Sequence, residues 1–303
     1  MGWSLRRTQG KVKLMSINDS ELEFLGNLTS KELDPLVDAL LDSDHKGRLM
    51  SELNGTPSFK KYYPDHAKYV GEMVHELQKF GGNTIANIFR GGEGVAYREI
   101  LCDVCDHMKV NYNDRQSTQM IEDALLSKVL AQVWEEMTPE QREAVLKDTG
   151  YNAHAAGGVT TAMMIALFRS GGFASYRLTL IVINAVWRII FGKGLTLAAN
   201  KTVCQFLAIL SGPVGWVLTG LWTAADLASP AMRVTIPAVI YIAGMRKMKK
   251  QEADLAELKG VAGEEPKGDE PKGDEPKGDE PKGDEPKGEK PSESAGDNPG
   301  EGK

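Results

Sequence analysis

Residues 117–137 read STQMIEDALLSKVLAQVWEEM, and their apolar residues recur at the spacing of an α-helix. Ile121, Leu125, Val129 and Val133 follow one another at intervals of four, which places them on one helix face. The next residues, Thr138-Pro139-Glu140-Gln141, combine an N-cap, a first-turn proline and a capping-box glutamine, and so predict another helix. No strand pattern of comparable length competes with these signals. The sequence therefore predicts an all-α fold.

Shorter helical patterns precede this segment. Ser20 and Glu23 form a capping box ahead of an apolar stretch, and Ser30 is placed to cap a second helix. Further helices are predicted from Asp65 to Gly81 and from Tyr97 to Met108. The first of these two ends at a glycine pair, where a positive φ is common. The N-terminal half thus predicts several amphipathic helices.

The charged residues divide the chain into zones of opposite sign. Residues 1–150 carry a net charge of −6, residues 151–250 one of +9 and residues 251–303 one of −9, although the whole chain has only −6. We therefore predict four regions. They are a flexible extension over 1–15, an acidic helical domain over 16–150, a cationic, glycine-rich, hydrophobic helical domain over 151–250 and a disordered tail over 251–303.

The two ends of the chain carry no globular pattern. Five near-identical Glu-Pro-Lys-Gly-Asp repeats run from Glu265 to Glu289, and they hold too few apolar side chains to offset the entropy of ordering them. No apolar run of signal-peptide length follows the N-terminal basic residues, and Met15 is an alternative start to Met1. Three sparse cysteines fit a reducing compartment. We expect a cytoplasmic protein, with association with the inner membrane as an alternative.

The hydrophobic zone contains one uncharged run long enough to cross a bilayer. It covers the 24 residues 202–225 and is interrupted near its middle by Gly212-Pro213. This break makes a re-entrant hairpin, or a buried soluble hairpin, as credible as a spanning helix. The pieces 178–187 and 234–245 are bounded by arginines and are expected to be too short to span alone. The candidate contacts to a membrane or partner are Phe206, Ile209, Gly212, Pro213, Trp216, Gly220 and Trp222.

Asp226 is the one acidic residue among ten lysines and arginines in residues 151–250. A lone carboxylate in such surroundings needs a partner, and Arg233 lies seven residues further on, beyond a break at Ser229-Pro230. The pair is either a structural ion pair in a helical core or a latch. If the pair is a latch, protonation of the Asp226 carboxylate would break it and free the hydrophobic hairpin.

No motif predicts a catalytic, cofactor or metal site. Cys102 and Cys105 share a helix face, but Cys204 is the one other cysteine, and a structural zinc site needs four ligands. The glycines at 91–94 are not followed by the Lys-Ser or Lys-Thr of a phosphate loop. We interpret the cysteine pair as core or half-buried thiols.

Five stretches carry a family resemblance: DSELEFL (19–25), HELQKFGGNTIAN (75–87), YREIL (97–101), GPVG (212–215) and RVTIPAV (233–239). They look like the YaaW family of uncharacterised bacterial proteins, and the similarity covers most of residues 16–250. Some classifications place that family beside ubiquinol-cytochrome c chaperones, which implies a helical, non-enzymatic assembly role. The resemblance implies a bacterial, mostly helical protein and transfers no catalytic residue.

The charge zones favour a non-enzymatic protein that associates with a membrane or a hydrophobic partner through residues 156–250. A sharper version is a latent membrane-perturbing protein whose glycine-rich hairpin is shielded until released. One alternative is a soluble helical chaperone or adaptor whose hydrophobic zone is core, and another is an enzyme without a recognisable motif. The expected partners are an anionic membrane surface or a hydrophobic protein, with no nucleic acid. An oligomer is left open.

Overall fold

Helices make up the fold, and the all-α prediction is confirmed for the described part of the chain, where every regular element is helical. The computed structural model describes residues 15–41, 51–81, 94–151, 158–192, 194–195 and 231–262. Its α-helices are α1 (Ser30–Leu41), α2 (Pro57–Tyr62), α3 (Val70–Gly81), α4 (Tyr97–His107), α5 (Thr118–Glu136), α6 (Pro139–Asp148), α7 (Thr161–Arg169), α8 (Gly172–Phe191) and α9 (Met232–Ala262). Short 3₁₀ helices cover Ser20–Asn27, Leu53–Gly55 and His66–Lys68. Residues 1–14 and 263–303 lie outside the described residues.

The two helices with the clearest sequence signals form where they are predicted. Ser117 caps α5 by accepting a hydrogen bond from the Met120 N–H, and the predicted face of α5 is fully buried. At the start of α6 both hydrogen bonds of the Thr138–Gln141 capping box are present. These starts depend on residues three positions apart, so the sequence alone determines them.

Two other helix starts differ from prediction. Asp19, rather than Ser20, caps the first element, because its carboxylate accepts from the Glu21 N–H at 3.0 Å. The helix expected from Asp65 is divided into a 3₁₀ turn at His66–Lys68 and α3, which begins at Val70. Tyr69 separates the two with an extended φ of −139°, which breaks the helical hydrogen-bond pattern.

The last helix, α9, lies at the centre of the described structure. All twelve residues from Val234 to Met245 are buried, so the helix is covered on every face for more than three turns. It packs against α8 and against α1, α3, α4 and α5. Helices from the predicted regions 16–150 and 151–250 therefore share one core. The predicted start of the tail at residue 251 falls within α9, which continues to Ala262.

Helices α8 and α9 form a tightly packed antiparallel pair. Gln251 Nε2 donates to Ser175 Oγ near one end of the pair, and the rings of Trp187 and Tyr241 lie 5.6 Å apart near the other. Between these contacts, Gly244 brings the α9 backbone against Ile183. A Cβ atom at position 244 would lie 2.3 Å from Ile183 Cδ1, which is closer than packed side chains tolerate.

Gly244→Ala is expected to destabilise the protein by about 1–3 kcal/mol, because the added methyl overpacks the α8–α9 contact. Gly55→Ala is the matched control, since a Cβ atom there would meet nothing within 4 Å. The measurement is urea unfolding of both variants. Equal midpoints for the two variants would show that the helices do not pack at Gly244.

The cationic end of α9 is paired with the acidic N-terminal half. Arg246 Nε donates to Glu122 Oε2 on α5 at 2.8 Å, and the Tyr97 hydroxyl donates to the other oxygen at 2.7 Å. The guanidinium also donates to the Glu21 carbonyl oxygen at 2.5 Å and lies over the ring of Phe24. Burial raises the pKa of Glu122, while Arg246 and Tyr97 oppose this shift by stabilising the carboxylate.

Two lysines extend this pairing along the same helix. Lys247 Nζ lies 2.8 Å from Asp123 Oδ1 on α5, and Lys249 Nζ lies 2.5 Å from Glu32 Oε1 on α1. The positive zone therefore meets negative charge within its own chain.

Arg246→Met is expected to cost about 3–5 kcal/mol of unfolding free energy, because it leaves the buried Glu122 carboxylate without its cation. Lys79→Met removes the cation of a solvent-exposed pair with Glu52 and should cost about 0–1 kcal/mol. Urea unfolding of the two variants makes the comparison. A cost below 1 kcal/mol for Arg246→Met would contradict the central role given to this ion pair.

Candidate functional site

The contact residues predicted from the uncharged run cannot be placed. Phe206, Ile209, Gly212, Pro213, Trp216, Gly220, Trp222 and Asp226 lie outside the described residues. Arg233 is described and lies half-buried in the first turn of α9. The membrane or partner contact and the Asp226–Arg233 latch therefore stay predictions.

One described helix, α8, is long and apolar enough to cross a membrane. The expectation that the piece 178–187 is too short to span is corrected, because Arg177 and Arg188 both lie inside one 20-residue helix. Gly171 and Gly192, each with positive φ, set its ends. Since 67% of its most apolar window is buried within the protein, packing accounts for most of its apolar surface.

The cysteine pair on α4 is half-buried at Cys102 and buried at Cys105. Burial raises the pKa of Cys105 to about 12, so its thiol stays protonated at neutral pH and is a poor nucleophile or metal ligand. Among the described residues, no group of three His, Cys, Asp or Glu side chains is placed to hold a metal ion.

An apolar groove of about 360 Å³ lies between the end of α6 and α7. We call it the α7 groove. Its lining residues are Leu146, Tyr151, Val159, Met163, Met164, Ala166, Leu167 and Ser170. Ser170 and the Tyr151 hydroxyl are the polar side-chain groups of this lining, so the groove offers little to a charged ligand.

The groove exists because α7 is apolar on faces that the core does not cover. Seven of its nine residues are apolar, yet only Met164 and Phe168 are buried. Of six exposed large hydrophobic side chains in the described structure, three cluster around this helix. Tyr151 and Met163 line the groove, and Phe173 lies in the first turn of α8 just beyond α7.

Helix α7 lies in the predicted hydrophobic zone but was not among the predicted contact residues. The signal was present, since TAMMIALFR contains no acidic residue and only one basic residue. Such a stretch has no polar face to turn towards water. The predicted contact residues lie instead in the longer uncharged run 202–225.

A second cavity, of about 310 Å³, lies near the last turn of α8. We call it the α1–α8 cavity. Asp34 of α1, Tyr63 and His66 of the segment before α3, and Trp187 of α8 are among its lining residues. The His66 ring is buried, with Nε2 2.8 Å from Asp34 Oδ1 and Nδ1 hydrogen-bonded to the Tyr69 hydroxyl.

Burial determines the charge state of this imidazole. It lowers the pKa of His66 below the ordinary value of 6.5, because the cationic form loses hydration. Three carboxylates, those of Asp34, Asp38 and Asp65, oppose the shift without cancelling it. His66 is therefore neutral at pH 7. No sequence pattern marked this histidine, since its carboxylate partner Asp34 comes from a separate helix, α1.

His66→Gln is expected to flatten the pH dependence of stability between about pH 7 and pH 5. In the wild type the unfolded chain binds more protons than the folded chain in this window, because the folded pKa is the lower one. The stability is full above pH 6.5 and declines as the pH falls through that value. Urea unfolding at several pH values measures the difference between the two proteins. Identical pH profiles would contradict the lowered pKa.

Comparison with known proteins identifies relatives along most of the chain. A family model described as "Ubiquinol-cytochrome C chaperone" matches residues 66–240. A "UPF0174 protein" of Helicobacter pylori J99 is 44% identical over 243 residues, covering 78% of this chain and 94% of that protein. "UPF0174 protein YaaW" of Escherichia coli K12 is 32% identical over 240 residues, covering 77% of this chain and 95% of that protein. No solved structure gives a significant match.

These matches confirm the resemblance found in the sequence. The matched region of the family model, residues 66–240, includes α7, α8 and the first turns of α9. The chain belongs to the UPF0174 family, as YaaW of Escherichia coli does, and to the family described as ubiquinol-cytochrome C chaperone.

Proposed function

We propose that this protein is a non-enzymatic binding protein of chaperone type, which holds an apolar helical segment of a protein partner in the α7 groove. The observation that carries the proposal is the exposure of α7. Seven of the nine residues of α7 are apolar and only two of these are buried, so the helix leaves an apolar surface in contact with water. Exposed apolar surfaces of this kind lower solubility and often mark binding sites for other proteins. Most of the groove lies within residues 156–250, the zone that the charge pattern assigns to a hydrophobic partner.

The shape and chemistry of the groove suit an apolar helix. Met163 and Met164 provide flexible, polarisable side chains, which adapt to different partner surfaces. Tyr151 adds an exposed aromatic ring to the lining, and tyrosine is among the residue types enriched at the energetic centres of protein interfaces. A helical segment would insert side chains spaced three and four residues apart.

The family comparison supports a protein partner. The matching family model is described as a chaperone, and a chaperone acts on another protein. The matched region contains α7 and all eight lining residues of the groove. The lining of the α7 groove contains no histidine, cysteine, lysine, arginine or carboxylate side chain.

Membrane association through residues 202–225 is the competing proposal. In the described part of the chain its support is weaker, because α8 is largely buried and Arg246, Lys247 and Lys249 are paired with acidic side chains. Cations engaged in this way add little attraction to an anionic surface. The membrane proposal therefore depends on residues 202–225.

Met163→Glu is expected to weaken binding of an apolar helix by at least about tenfold, because it places a charge in the groove. The probe is a fluorescent amphipathic peptide of leucine and glutamine, about five helical turns long, so that charge attraction does not contribute. Met120→Glu on α5 is the matched control, since Met120 is also an exposed methionine but lies away from the groove lining. Fluorescence anisotropy with the full chain measures both variants.

Two outcomes would contradict the proposal. One is a peptide that binds the wild type and both variants equally, or none of them. The other is flotation of the wild type with anionic vesicles that Met163→Glu abolishes while peptide binding is absent, which would make the groove a membrane contact.

A further inference from the structure

We propose that Glu72 on α3 is a docking site for the basic N-terminal stretch of the same chain, and that the ammonium group of Lys13 occupies it. The site is formed by α3, the start of α2 and the backbone at Met15. Its described residues, Met15, Ser58 and Glu72, are not part of the α7 groove or of the α1–α8 cavity. The site is therefore separate from the surface to which a protein partner is assigned.

Glu72 is a buried carboxylate that is only partly satisfied. The residue is 8% exposed, and its Oε1 atom accepts a hydrogen bond from the Ser58 hydroxyl at 2.6 Å and a long one from the Met15 N–H at 3.4 Å. Its Oε2 atom is buried and accepts no hydrogen bond from any described residue. Across the described ranges, no lysine, arginine or histidine forms an ion pair with this carboxylate. A buried carboxylate in this state costs free energy unless a cation is brought to it.

A second carboxylate adds to the demand for positive charge. Glu76 lies one turn further along α3, is also buried and accepts a hydrogen bond from the Glu52 N–H at 2.7 Å. Like charges at this spacing on a helix repel each other. The one lysine of α3, Lys79, is paired instead with the exposed Glu52 carboxylate at 2.6 Å. The cation that Glu72 needs therefore comes from another segment.

The packing of Gly71 brings the N-terminal stretch to this carboxylate. A Cβ atom at position 71 would clash with the carbonyl oxygen of Met15, so the two backbones lie in direct contact. On the other side of Met15 the chain is held in place, because Ile17 packs against the core. The point at which residues 1–14 join the described structure is thus fixed beside Glu72.

The N-terminal stretch has the charge that this site lacks. Residues 1–14 contain Arg6, Arg7, Lys11 and Lys13 and no acidic residue. Lys13 is two residues before Met15, so its Cα atom lies at most about 7 Å from that of Met15, within reach of a flexible four-carbon side chain. Its ammonium group has three N–H donors, enough to donate to Oε2 and to share Oε1 with Ser58.

A double-mutant cycle in the full chain tests the pair by urea unfolding. Lys13→Met is expected to raise the equilibrium constant for unfolding about tenfold or more, because it leaves the Glu72 carboxylate without its cation. Lys11→Met is the matched control, a lysine of the same stretch, and should change this constant less than about threefold. In the Glu72→Gln background, Lys13→Met should also change it less than about threefold.

A second measurement does not depend on the stability of any variant. Trace acetylation of the folded wild type, followed by peptide mass spectrometry, compares the two lysines directly. Lys13 is expected to react about fivefold more slowly than Lys11 or slower still, because a carboxylate beside an ammonium group favours the charged, unreactive form. The proposal is overturned if the two lysines react alike, or if Lys13→Met has the same effect on unfolding with and without Glu72→Gln.

Discussion

Arg246 extends from the last helix of the described structure into the acidic N-terminal half, where Glu122, the Glu21 carbonyl oxygen and the ring of Phe24 surround its guanidinium. Arg246 is half-buried and its partner Glu122 is buried, and such a pair is stable only when the charges and the donors are satisfied together. The 3₁₀ helix at Ser20–Asn27, α4 and α5 are therefore tied to α9 by one side chain. The opposite charges of the two zones therefore pair with each other inside one chain. Much of the described apolar zone is buried in the core next to these pairs.

Two surfaces of the described structure, the α7 groove and the α1–α8 cavity, lie outside this core. The α7 groove is apolar, while the α1–α8 cavity is lined by polar residues such as Asp34 and His66 together with the rings of Tyr63 and Trp187. They lie towards opposite ends of α8, a helix held in place by α9.

The sequence predicted what depends on neighbouring residues and missed what depends on distant ones. The capping box at Thr138 and the apolar face of α5 involve residues a few positions apart, and both form as expected. Arg246 and Glu122 are 124 positions apart, so no local pattern could pair them. The uncharged side chains of residues 202–225 would be equally favourable in lipid and in a protein core, which is why composition left both open for that run. His66 had no signal because its cavity is assembled from α1, the segment before α3 and α8.

The central claim is that residues 234–245 of α9 form the core of one cooperative unit and are not a membrane element. Hydrogen exchange of the full chain in buffer, with and without anionic vesicles, tests this most directly. The account predicts that amides of residues 234–245 exchange only through global unfolding, and at the same rate whether or not vesicles are present. Rapid exchange of these amides in buffer, with protection gained only when vesicles are added, would contradict it.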